Sequence, residues 1–255
     1  MIEARRRDLG IVDRPPKPAG EIVRAIMTKP TRPALTEQQA ADLEAARDRE
    51  VEERRKWERH DTWKNLIGKR GERYGKCNLT DYEIYDATRQ PAAVARIRSY
   101  CEDILGTDTE GRGLVLYGPA GTGKDHLLVA ALRYAVYRHG FRPLWVNGME
   151  LFGEMRDAIG GDRDESSVLE RYMRADILAI SDPLPPFGPL TEFQAATLFR
   201  IIDGRYSRCL PTWATINVKD GKEGSERMGS QITDRLRHGA VAIDCNWPSY
   251  RARAT

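Results

Sequence analysis

Residues 113–128 read GLVLYGPAGTGKDHLL. An apolar run leads into three closely spaced glycines, and a lysine then opens a segment with helical periodicity. A buried strand feeding a tight glycine turn and a helix is the start of a βα unit. Gly118 to Lys124 fills the pattern G-x-x-x-x-G-K, whose backbone N–H groups and following helix N-terminus face an anion. Gly118, Pro119, Ala120, Gly121, Thr122, Gly123, Lys124, Asp125 and His126 are therefore the expected phosphate cradle, with Lys124 as the cation for the outer phosphates. ATP or ADP with Mg²⁺ is the expected cofactor set.

One position departs from the pattern. A hydroxyl residue normally follows the lysine and ligates Mg²⁺, and here Asp125 stands there. A carboxylate is also a good hard ligand, but it adds charge beside the phosphates. The second acidic element of such sites is an apolar strand ending in acid. The candidate is DILAISD, residues 176–182, where Ser181 takes the usual metal-side place of an acid and Asp182 the catalytic place. Two explanations stand. Either hydroxyl and carboxylate have exchanged positions, so that Asp125, Ser181 and Asp182 surround the metal, or both changes are decay. Asp182 is the expected general base, and Asn217, ending another strand, is expected near the γ-phosphate or the lytic water. Arg235 and Arg251 are the expected phosphate-sensing cations, Arg235 acting in trans if it faces a neighbouring subunit.

Around this unit the pattern repeats. Strands are expected at 113–118, 142–147, 176–182, 212–217 and 240–245, separated by helical segments, which implies a parallel sheet covered on both faces. Residues 1–35 are rich in Pro and Arg and read as an extended arm. Residues 36–75 read as a charged helix and linker, with a Thr36/Gln39 capping box at its start and a break at Gly68, Gly71 and Gly75. The ATPase domain is expected over 76–255. Trp57 and Trp63 on the charged helix read as anchors for a protein partner, Phe152 as core, and Ser166 or Ser167 as the cap of a short helix.

With 41 basic and 38 acidic residues the chain is nearly neutral, so charge alone points to no partner. The Asp- and Glu-containing start has no apolar core of a secretory or transit signal, and no apolar run reaches membrane-spanning length, so no membrane partner and a cytoplasmic location are expected. Cys77, Cys101, Cys209 and Cys245 form no C-x-x-C pair and read as reduced thiols.

The loop GTGKDHL and the ending ITDRLRHGAVAIDCNWPSYRAR together resemble the DnaC-type replicative helicase loaders, within the DnaC/IstB-like group of AAA+ ATPases. The resemblance covers about residues 75–255 and, before that, only the layout of arm and helix. It implies an α/β core with a five-stranded parallel sheet in the order 5-1-4-3-2, Asn217 as sensor 1, Arg235 as arginine finger and Arg251 as sensor 2. It further implies an N-terminal region that grips a DnaB-type hexameric helicase, self-association into a spiral or ring, and binding of single-stranded DNA. Arg205, Tyr206 and Arg208 combine cations with an aromatic ring and are the expected DNA contacts. Three functions stay open: a helicase loader, a transposition ATPase of the IstB type that presents DNA to a transposase, and a nucleotide-sensing module with little turnover.

Overall fold

The structure, a computed structural model, describes residues 36–68, 70–104, 112–161 and 164–253. The expected arm at 1–35 lies outside the described residues. Five strands form one parallel sheet: β1 (Leu114–Gly118), β2 (Leu144–Asn147), β3 (Leu178–Ser181), β4 (Thr212–Asn217) and β5 (Val241–Asp244). Their order is β2-β3-β4-β1-β5. Read from the other edge, this is the expected order 5-1-4-3-2.

Side-chain parity along the strands builds two cores. Leu114, Leu116, Ala179, Trp213 and Ile243 face one side with α2 (Gln90–Glu102) and α3 (Lys124–Tyr134). Val115, Ile180, Ala214 and Ile216 face the other with α4 (Gly148–Gly160), α5 (Glu165–Arg174), α6 (Glu192–Tyr206), α7 (Gly221–Met228) and α8 (Ser230–Arg237). From Leu127 to Leu132, α3 is buried on every side, as a central helix without an aqueous face must be. Each of its leucines contributes roughly 2 kcal/mol through removal from water. A π-turn (Ala135–His139) extends α3 and ends at Gly140, whose left-handed φ of 76° closes it. Phe152 lies in the core as expected. Asp164, rather than Ser166 or Ser167, caps α5, accepting from Ser166 N at 3.1 Å.

The charged helix is present as α1 (Glu37–Gly68), opened by the reciprocal Thr36–Gln39 capping box. The chain divides into two compact units at Val51/Glu52. The expected boundary at 75/76 therefore falls inside the second unit, because Trp63, Leu66, Ile67, Cys77 and Leu79 share one core cluster with α2 and α3. Trp63 is not a free partner anchor: it is 6% exposed, sits 6.3 Å from the Tyr137 ring and carries Arg133 over its face. Trp57, at 65% exposure, keeps the outward position expected of an anchor.

Arg205 also departs from expectation. It is fully buried, and its guanidinium donates to Thr212 Oγ1 and to the carbonyls of Tyr172, Ala175 and Pro211 at 2.7–3.2 Å. A planar fork with four of its five N–H donors engaged and no exposed surface ties α6 to the ends of α5 and β4 and presents nothing to DNA. Arg205→Ala leaves those acceptors without a charged donor and should cost about 3 kcal/mol. Thermal unfolding should show this as a fall in Tm of roughly 10 °C.

Candidate nucleotide site

The cleft lies at the carboxyl ends of the strands, where an open parallel sheet places its ligands. Its floor is the loop between β1 and α3. Gly121 adopts a φ of 83°, and a side chain there would collide with the Ser249 hydroxyl. Only glycine serves such a position. Lys124 is buried at the start of α3 and donates through Nζ to the carbonyls of Gly118 (2.9 Å) and Pro119 (2.7 Å). Burial lowers its pKa, and the Asp182 and Asp125 carboxylates oppose that shift.

The parallel register carries the remaining groups to this end. Gly118 pairs with Asn217, and Ser181 with Thr215. Asn217 Nδ2 donates to Asp182 Oδ1 at 2.5 Å. Asp182 holds a left-handed φ of 46°, strained for a residue with a Cβ but tolerated best by Asp and Asn. Its N–H is bonded to Thr215 O at 3.0 Å, and its carbonyl leaves no room for a side chain on Gly148, which begins α4. The carboxylate opens to the cleft. The protein mass around the cleft floor, and then the nearby Asp125 charge, push its pKa up to about 6.

Asp125 points to β4, where its Oδ1 accepts from Thr215 Oγ1 at 2.7 Å. This hydroxyl was not singled out from the sequence. The signal for it is parity: Thr215 shares a strand face with Trp213, toward α3. Ser181, the hydroxyl expected to face Asp125, is buried and does not line the cleft. Its Oγ accepts from the Trp145 indole N–H at 2.9 Å. The expected Asp125/Ser181 exchange is thus replaced by an Asp125–Thr215 pair.

The other wall also went unrecognised in the sequence. Arg73, Tyr74, Tyr82, Glu83 and Tyr85, which precede α2, line the cleft opposite Lys124, Asp125 and His126. Buried Gln90 fixes that wall by accepting from the N–H groups of Tyr85 (2.7 Å) and Asp86 (2.9 Å). Tyr82 meets the His126 ring edge-on at 5.3 Å, and burial followed by Arg73 lowers the His126 pKa, favouring the neutral imidazole. No residue between Glu72 and Tyr85 belongs to a phosphate-loop motif, which is why the pattern did not reach them. The chain end closes the cleft with Tyr250 and Arg251. Tyr250 OH donates to Glu83 Oε2 at 2.9 Å and so joins the two walls.

The cleft encloses about 500 Å³, the size of a small-molecule site. A glycine loop at a helix N-terminus, with Lys124, Arg73 and Arg251 around it, fits a polyphosphate. Among the described residues no three His, Cys, Asp or Glu side chains gather as a preformed metal site. The Asp125 and Asp182 carboxylates fit a hard cation that takes its other ligands from phosphate and water.

Not every expected residue reaches the cleft. Arg235 donates from Nε to Asp203 Oδ1 at 2.5 Å and lies 4.8 Å over the Phe199 ring. It borders a separate depression with Tyr206 and His238. Tyr206 is 42% exposed and Arg208 is exposed.

Among solved structures, the chain is similar to the DnaC helicase loader, at 22% identity and a TM-score of 0.62 over 68% of this chain and 99% of that one. It is also similar to DnaI, at 22% identity and 0.54 over 68% and 90%. The replication initiator DnaA bound to AMPPCP and single-stranded DNA matches at 17% identity and 0.55, over 68% of this chain and 50% of that one. These likenesses establish a shared fold. Among curated proteins, a putative insertion sequence ATP-binding protein of Sinorhizobium fredii is 30% identical over 57% of this chain and 48% of its own length. The insertion sequence IS21 putative ATP-binding protein of Pseudomonas aeruginosa is 24% identical over 67% and 64%. The chain thus spans about half to just under two thirds of these relatives. The pattern of the IstB-like ATP-binding proteins matches residues 70–255, which take in both cleft walls, the phosphate loop and Asp182, and the chain belongs to that family.

Proposed function

We propose that the protein is a Mg²⁺-dependent ATPase that acts on DNA in transposition. The observation that carries the enzymatic part is the Asp182–Asn217 pair, held at the mouth of a lysine-bearing phosphate loop. Mg²⁺, when bound, would neutralise developing charge on the phosphates. Asp125 and Asp182 are the residues to hold it. Asp182, with its raised pKa, accepts a proton from water, and Asn217 fixes the carboxylate that does so. Lys124 leaves the loop carbonyls for phosphate, and Arg251 adds a second cation from the chain end. Arg235, outside the cleft, suits a contact with the next subunit of an oligomer, once released from Asp203.

Family membership and both insertion-sequence relatives favour the transposition reading over helicase loading. The loader reading keeps a basis in the exposed Trp57 on α1, a suitable anchor for a helicase. The substrate separates the two. On the transposition reading the DNA presented to the transposase would be duplex, whereas on the loader reading the helicase would be placed on a single strand. With ATP and Mg²⁺, the protein should assemble on a duplex oligonucleotide at lower concentration than on the same single strand, measured by fluorescence anisotropy. A preference for the single strand, with co-elution of a replicative helicase, would return the function to loading.

Protonation of Asp182 removes the base, so kcat/KM for ATP should fall as pH drops through about 6. Asp182→Asn, a residue that tolerates the left-handed backbone, should lower kcat by about 10²-fold or more with ATP binding retained. Stability gives the opposite sign. A carboxyl whose folded pKa is raised favours its neutral form, so the ionised group weakens the fold above about pH 6. In the absence of nucleotide, Asp182→Asn should therefore raise Tm at pH 8, and the gain should vanish by about pH 4, near the unfolded pKa.

A further inference from the structure

We infer that Trp247 is a positioning residue for nucleotide binding, aiming the phosphate loop from behind. The inference rests on the reading of the cleft as a nucleoside triphosphate site.

Trp247 follows β5, is buried, and does not line the cleft. Its indole N–H donates to Thr122 O at 2.7 Å. Three residues on, Tyr250 N donates to Gly121 O at 2.9 Å. Two successive loop carbonyls are thus drawn toward the chain end. In a trans peptide the N–H points opposite to the C=O. Holding Thr122 O on the core side turns Gly123 N–H to the other side, and holding Gly121 O does the same for Thr122 N–H. Gly121 and Gly123 line the cleft on the N–H side, while the Thr122 side chain is fully buried. The donors that a phosphate would meet are therefore set by hydrogen bonds from a segment more than 120 residues away in the chain.

Glycines make this backing necessary. Gly121 and Gly123 have φ of 83° and 87°, and a glycine peptide turns over more freely than any other. A flipped 122–123 peptide would leave the buried Trp247 indole N–H without its acceptor and would also break the longer bond from Tyr85 OH to Thr122 O (3.4 Å), which is costly. The clamp is itself braced: Tyr85 OH donates to Pro248 O at 3.1 Å, and Arg89 to Asn246 O. Trp247 thus belongs to the binding machinery although it touches no ligand.

The test compares wild type with Trp247→Phe, which keeps an aromatic filler and loses the donor, and with 3-benzothienylalanine at position 247, in which sulfur replaces N–H in the same shape. ATP and ADP affinities are measured by calorimetry, and the Gly123 amide is followed by ¹⁵N–¹H NMR in the free protein. Both variants should bind ATP and ADP about tenfold more weakly, the equivalent of one lost hydrogen bond. The Gly123 resonance should shift or broaden, with the Tm of the benzothienyl protein within a few degrees of wild type. Wild-type affinity with an unmoved Gly123 resonance would overturn the inference. A wild-type protein that fails to bind ATP would instead overturn the reading of the cleft, and the Gly123 resonance of the free variants would still decide whether Trp247 sets the loop.

Discussion

The hydrogen bond from Thr215 to Asp125 joins the two halves of the site. Asp125 belongs to the first turn of α3, and Thr215 to the central strand β4. A carboxylate at a helix N-terminus is favoured by the helix dipole, but beside a polyphosphate it needs a donor to fix its orientation. Thr215 supplies that donor, and the same residue's carbonyl takes the N–H of Asp182. One residue on β4 thereby holds the acid of the phosphate loop with its side chain and the acid of the strand end with its backbone. The raised pKa of Asp182 follows partly from this arrangement, since it keeps the Asp125 charge nearby.

The rest of the cleft is built by closing distant segments over that centre. Gln90 fixes the wall before α2, and Tyr250 ties that wall to the chain end. Tyr74 lines the cleft and also packs edge-on against Trp145 at 5.0 Å. Arg70 also lies against this indole, 5.1 Å from the Trp145 ring centroid, and is paired with Glu150. Segments that look like linker in composition are thus part of the site's frame, and the compact unit begins well before the phosphate loop.

Local patterns made the strands, the glycine loop and the Thr36 cap legible in the sequence, because each depends on neighbours within a few residues or on the repeated βα alternation, whereas the sheet order came only through the family resemblance. Asp182 and Asn217 were legible for the same reason, as strand ends on one edge of a parallel sheet. Ser181 was misread because a motif position names a place along the strand and not a partner. The indole of Trp145, on β2, takes its hydroxyl. Arg205 was misread because its role depends on burial among carbonyls from three segments, which composition does not reveal. The wall at Arg73–Tyr85 was missed because its residues share no motif and meet the loop only through the tertiary fold.

The claim that Asp125 is a working part of the site, held by Thr215 and not by Ser181, is tested most directly by comparing steady-state ATP turnover per folded molecule in Thr215→Val and Ser181→Ala. Thr215→Val removes the hydroxyl at nearly constant shape and should reduce turnover by about tenfold or more, the effect of releasing one charge-assisted hydrogen bond at a reacting centre. Ser181→Ala strips the Trp145 indole of its acceptor and should lower stability while leaving turnover close to wild type. Loss of turnover in Ser181→Ala with a near-normal Thr215→Val would contradict the account and restore the exchange of positions between Asp125 and Ser181.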